Sequence, residues 1–215
     1  MFGVLALSAG SANAAMPPAS YKTERIEFKV RERLPNGKWR STPVRTGFYD
    51  NVSQKGWGQD KAEHRHNIKT QASIRYLASA PTIVKSGTSY AHTVWSNEIK
   101  CKNGRCTVTD EREVRGVFVR SALKVLHGET VGGELGLQTA YCLNPDKALR
   151  CPDWVDVGLG KAWSAVSGTV GFAGRSAATT SLPRDGKLYT ATTERIGIGK
   201  AVDAAELDEL IVGDE

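Results

Sequence analysis

The chain has 215 residues, 40% of them hydrophobic and 24% charged, with a formal net charge of +6 and four cysteines. That length supplies one substantial hydrophobic core, or a core with an appended lobe. Beyond the N-terminus no apolar run approaches the roughly 20 residues that cross a bilayer, which excludes a bundle of membrane-spanning helices.

Residues 1–15 form a short apolar run ending Ala12-Asn13-Ala14, the small-x-small pattern of a cleaved export signal, although the usual cationic leader is missing. Pro17-Pro18 makes residues 16–20 a linker to a single domain over 21–200. Ile26, Phe28 and Val30 alternate with charged neighbours, which predicts a half-buried strand over 21–33. Leu34-Pro35-Asn36-Gly37 turns it, and 38–46 is its partner. Residues 47–58 read as a loop.

The segment Gly56-Trp57-Gly58-Gln59-Asp60-Lys61-Ala62-Glu63-His64-Arg65-His66 holds two of the four histidines. Its spacing predicts a helix that starts at Gln59 and Asp60, with Asp60 as cap, and runs to about His66. Lys61 and Arg65, four apart, then share one face. A second helix from Thr70 buries Ile74, Leu77 and Ala78 and ends before Pro81. Strands follow at 82–85, 89–97, 98–101, 107–110, 113–126 and 135–141, the last bearing Thr139 and Tyr141. After Pro152, 154–159 reads as a strand, 161–167 as a turn of helix, and 188–198 as a strand. The whole predicts an α+β fold, short N-terminal helices packed on a mainly antiparallel sheet, stabilised by disulfides.

Cys101 and Cys106 flank Asn103-Gly104, the strongest two-residue hairpin signal, and face each other one pair beyond the turn. That non-hydrogen-bonded position suits a disulfide. Cys142 and Cys151 close the loop between them in the same way. The spacings are not those of a zinc ribbon, and two disulfides agree with an oxidising, exported setting. After Lys200 there are six acids and no cation, so the body is more basic than the whole and 201–215 is an acidic, solvated tail. A basic body suits a polyanion such as RNA, DNA or an envelope polymer.

These features together resemble the barnase/EndoU/RelE-like superfamily of metal-independent ribonucleases, many of them exported bacterial toxin domains. The residues that carry the resemblance are the Gly-aromatic-Gly opener, the short helix ending Arg65-His66, the second helix with Ile74, the Pro, and the strand ending Thr139-Ala140-Tyr141. It covers 56–142, with 152–200 as an extension. Lys61 stands where the family has its first histidine and Ala62 where it has isoleucine. The resemblance implies His66, Lys61, Arg65, Thr139 and Tyr141 as catalytic residues, RNA as substrate and a protein inhibitor as a possible kind of partner, with no cofactor. Trp57 and His64 are candidates for holding substrate, Trp57 by stacking on a base.

The residue chemistry is compatible with that reading. Metal-free RNA cleavage needs a base, an acid and cations, and histidine titrates near neutrality. The competing readings are a helix-capping His66, a solvated Lys61–Arg65 face, and a core Trp57 and Tyr141. The two histidines of His64-x-His66 point apart on a helix, so they share a metal only on a strand, with Asp60 or His92. No Gly-x-Ser-x-Gly elbow or phosphate loop is present. A non-enzymatic secreted or envelope-associated binding protein remains the second expectation.

Overall fold

The computed structural model describes residues 22–169 and 182–212. The expected export signal, the linker at 16–20 and most of the glycine- and alanine-rich stretch before 182 lie outside the described residues. The described residues open with strands, not helices. β1 (Ile26–Arg33) and β2 (Trp39–Arg45) form an antiparallel hairpin, with Val44 buried opposite Phe28. β3 (Phe48–Tyr49) and β4 (Gly56–Trp57) pair within what the sequence presents as a loop. Only then come α1 (Gly58–His64) and α2 (Gln71–Ser79).

The body of the fold is a meander. β5 (Thr82–Ser86), β6 (Ser89–Lys102), β7 (Arg105–Leu126) and β8 (Glu129–Leu143) pair antiparallel in succession. The strand expected in two pieces at 89–101 is the single β6, kinked by a register shift between Glu98 and Ile99. α3 (Asp153–Thr169) then crosses back, and β9 (Gly186–Thr192) joins β6 beyond the reach of β5. β10 (Ala201–Val202) joins β7 beyond the reach of β8, and α4 (Ala204–Val212) follows. The two long central strands thus carry β5 and β8 at one end and β9 and β10 at the other.

This architecture overturns the expected α+β arrangement with short N-terminal helices. The protein is mostly antiparallel sheet, and its longest helix follows the meander. Ten strands stand against four helices among the described residues. The error has a local cause. Val155, Val157 and Leu159 alternate like a strand, and Gly158 and Gly160 lower helix propensity by about 1 kcal/mol each. Yet Val155, Leu159 and Ala162 are buried at helical spacing. Gly158 is where α3 lies against β9, since a Cβ there would sit 2.7 Å from the Thr190 carbonyl oxygen.

The described part of the acidic tail is also built in rather than solvated. Val202 pairs with Cys106, Leu207 is fully buried, and the Leu210 carbonyl accepts from the Thr193 N–H at 2.8 Å. These residues close a small core with Ile99, Cys101, Cys106, Val108 and Ile196. The main core lies between the sheet, α2 and α3, around Val114, Phe118, Leu137, Ile74 and Leu159. Cys101–Cys106 and Cys142–Cys151 are both disulfides. The first closes a tight hairpin in which Asn103 and Gly104 have φ of 53° and 76°, as a mirror-image turn requires. Among the described residues no helix is long and apolar enough to cross a membrane.

Candidate functional site

α1 starts at a tight crossing. Gly58 has φ of +81°, and a Cβ on it would lie 2.7 Å from the Gly47 Cα. Asp60 does not cap the helix. Trp57 occupies the cap position without a side-chain bond, and Asp60 sits within the first turn, 3.2 Å from His64 Nε2. The helix is short enough that Arg65 is its C-cap. Asn67 then takes a left-handed φ of 67°, while its N–H still reaches the Glu63 carbonyl at 2.9 Å. That extra turn separates the two histidines. The His64 side chain stays 61% exposed, whereas His66 is swung inward to 8%.

The loop closed by Cys142–Cys151 clamps this turn. The Cys151 N–H donates to the His66 carbonyl at 3.0 Å. Asn67 Nδ2 donates to the Cys151 carbonyl at 2.8 Å, and Arg150 Nη2 donates to Asn67 Oδ1 at 2.9 Å. His66 Nδ1 lies 2.9 Å from the Leu149 carbonyl oxygen. A carbonyl only accepts, so the proton is assigned to Nδ1 and the lone pair to Nε2. Burial, reinforced by Arg65 and Lys61, outweighs the Leu149 bond and pulls the His66 pKa down to about 4. The imidazole is therefore neutral at pH 7, with Nε2 as a base.

Tyr141 is the nearest aromatic neighbour, its ring centroid 5.7 Å from that of His66. Both line an open pocket of about 380 Å³ with Asn144, Lys147 and Leu149. Tyr141 stands opposite Arg115 in the β7–β8 register. Burial opposes the Arg115 charge, but Glu113, whose Oε1 accepts from Arg115 Nε at 2.8 Å, and then Tyr141 raise its pKa above the ordinary value. Thr139 is two residues from Tyr141 and shares its face of β8. Its Oγ1 is buried without a hydrogen-bond partner among the described residues.

Of the expected site residues, the fold brings His66 and Tyr141 together and places Lys61 and Arg65 close enough to oppose protonation of His66. Burial, and then Arg65, in turn lower the Lys61 pKa. Arg65 Nη1 is spent on the Gln54 carbonyl. Trp57 is corrected: it is fully buried, edge-to-face with Phe48 at 6.4 Å and packed with Val131 and Leu135, so no base reaches it. His64 faces away from the His66 pocket, toward a neighbouring one. His92, which a metal shared by His64 and His66 on a strand would have called on, is buried against Glu32. Among the described residues no three His, Cys, Asp or Glu side chains are grouped to hold a metal ion.

Arg115, Asn144, Lys147 and the Leu149 carbonyl were not anticipated. The disulfide-closed loop could have pointed to three of them, since closing it places 143–150 beside the end of β8. Arg115 carries no such signal, because only the strand register puts it across from Tyr141. Comparison with protein families, with curated proteins and with solved structures finds no match for this chain.

Proposed function

We propose that the protein is an exported ribonuclease, of the barnase/EndoU/RelE-like kind, that cleaves RNA by 2′-hydroxyl attack on the adjacent phosphate without a metal. The observation that carries this reading is His66: its Nδ1 is tied to a carbonyl, its Nε2 has no hydrogen bond among the described residues, and it sits beside Tyr141 in an open pocket. In this reading Nε2 takes the 2′-hydroxyl proton, the P–O2′ bond forms and the P–O5′ bond breaks. The imidazolium returns the proton to O5′, leaving a 2′,3′-cyclic phosphate and a 5′-hydroxyl. An imidazolium with a depressed pKa is a strong acid, which suits that second transfer. The Tyr141 hydroxyl donates to a non-bridging oxygen, and Lys61 and Arg65 offset the charge that builds on phosphorus. Export is part of the proposal, supported by the two disulfides and the apolar opening run.

The test is incubation of folded, disulfide-intact protein with RNA in EDTA, beside His66→Ala. Cleavage giving cyclic phosphate ends, reduced at least about 100-fold by the substitution, supports the reading. Absence of cleavage by the folded wild type, or cleavage indifferent to His66→Ala, overturns it.

One observation favours a second reading, a non-enzymatic secreted or envelope-associated protein that binds an anionic polymer. Lys100, Lys102 and Arg105 share the outer face of the β6–β7 ribbon, line a shallow depression with Thr107 and Thr109, and make no salt bridge among the described residues. Thr107 is eight residues along β7 from Arg115, the residue opposite Tyr141, or about 26 Å at strand rise. Polyanion binding that is lost on neutralising this ribbon, without any cleavage, is the result that reading requires.

A further inference from the structure

Two openings meet at Leu149. On one side is the His66 pocket. On the other is a pocket of about 620 Å³ walled by Tyr49, Gln54, His64, Arg65 and Arg150. Leu149 is the divide, and its carbonyl is the group that holds the His66 ring.

The second pocket is cationic in an unusual way. Neither Arg65 nor Arg150 makes a salt bridge with a carboxylate among the described residues. Each is positioned instead by neutral acceptors: Arg65 by the Gln54 carbonyl, Arg150 by the His64 carbonyl at 2.7 Å and Asn67 Oδ1 at 2.9 Å. A guanidinium has five N–H donors, so these contacts orient both planes and leave donors over. Arg65 Nε is buried without a hydrogen-bond partner among the described residues. Arg150 also acts on Asp153, whose pKa it helps Asn67 and Lys69 to lower, but neither guanidinium is closed by a carboxylate contact among the described residues, and two oriented forks with spare donors suit the several oxygens of a phosphate. Tyr49 adds an aromatic wall, its hydroxyl already bonded to Gln54 Oε1 at 2.8 Å.

We propose that Arg65 and Arg150 form a second phosphate subsite, which holds the phosphodiester next to the scissile one as a single RNA strand crosses the Leu149 ridge, with a base against Tyr49. The proposal rests on the ribonuclease reading and names how that enzyme takes its substrate. It also gives the Cys142–Cys151 loop one task with two outputs: Leu149 positions the imidazole, and Arg150, its neighbour in the chain, positions the strand.

The test compares a dinucleotide, which has only the scissile phosphate, with a hexanucleotide, and adds salt-dependent binding of a non-cleavable 2′-O-methyl hexanucleotide. All assays use the full disulfide-intact chain. Arg150→Gln is expected to cost roughly tenfold more kcat/KM on the hexanucleotide than on the dinucleotide. It should also shallow the salt slope of binding by about 0.7, one single-strand phosphate contact. Arg150 also braces the His66 turn, so Tyr49→Ala, which touches none of those bonds, is the second variant. It too should weaken the hexanucleotide selectively.

Equal losses on both substrates, or an unchanged slope, overturn the subsite. If the wild type cleaves no RNA, the hexanucleotide still decides. A slope lowered by Arg150→Gln keeps the subsite while the enzyme reading falls. A slope lowered only by Lys102→Gln with Arg105→Gln sends the polyanion to the β6–β7 ribbon and overturns the proposal.

Discussion

Replacing Glu32 by Gln removes one charge from the interior while keeping the side chain's shape. Glu32 is fully buried on β1, accepts from Thr42 Oγ1 and from Arg120 Nη2 at 2.7 Å, and lies 3.5 Å from His92 Nε2. His92 Nδ1 faces the Ala80 carbonyl at 3.2 Å on its other side, and the Arg120 guanidinium is stacked over Tyr90. The cluster therefore joins the β1–β2 hairpin to β6 and β7 through charge. Burial alone would push the Glu32 pKa up, but His92, Arg120 and Thr42 outweigh it and bring the value down from 4.5 to about 2.

A folded-state pKa below the unfolded one means that the unfolded chain takes up the proton first as pH falls. The stabilisation is complete above pH 4.5 and disappears as pH drops through about 2. At 1.36 kcal/mol per pKa unit the shift corresponds to about 3 kcal/mol, in line with the roughly 3–5 kcal/mol lost when one partner of a buried ion pair is removed. Urea unfolding of wild type and Glu32→Gln under non-reducing conditions should show a gap of about 3 kcal/mol at pH 7 that narrows below pH 4.5. A gap under about 1 kcal/mol at pH 7, or one that ignores pH, would refute the assignment of Glu32 as the charged centre of this cluster.

Two further outcomes follow from the site. Any RNA cleavage through His66 should rise with pH on a limb centred near pH 4, measured from kcat/KM; a limb near pH 6.5 would mean that burial does not control this imidazole. The same depressed pKa means that the unfolded state binds the His66 proton first, so stability falls between pH 6.5 and 4 by up to about 3 kcal/mol, and His66→Gln should flatten that part of the profile. Replacing Cys142 and Cys151 by Ser opens a short loop and frees the Leu149 carbonyl. Unfolding should show a loss on the order of 2–3 kcal/mol, and the ascending pH limb should move toward 6.5 as the ring becomes wetter. A pH profile left in place would show that α1 and β8 hold the imidazole without the loop.

Local patterns were enough for much of the chain. The β1–β2 hairpin, α2, and the Asn103-Gly104 turn with Cys101 opposite Cys106 each depend on residues a few positions apart, where periodicity and turn geometry act directly. Local reasoning also marked the histidine-bearing segment, but only the resemblance to metal-independent ribonucleases set His66 beside Tyr141 as candidate site residues. It failed on α3, whose strand-like alternation yields to burial against β6 and β9, and on Trp57, where a conspicuous aromatic beside glycines proved to be core. Nor could it supply the imidazole's tautomer, its low pKa or its neighbours. His66 and Leu149 are 83 residues apart, and Arg115 meets Tyr141 only through strand register. Those properties belong to contacts between distant segments, whose burial and hydrogen bonding exist only once the whole chain has packed.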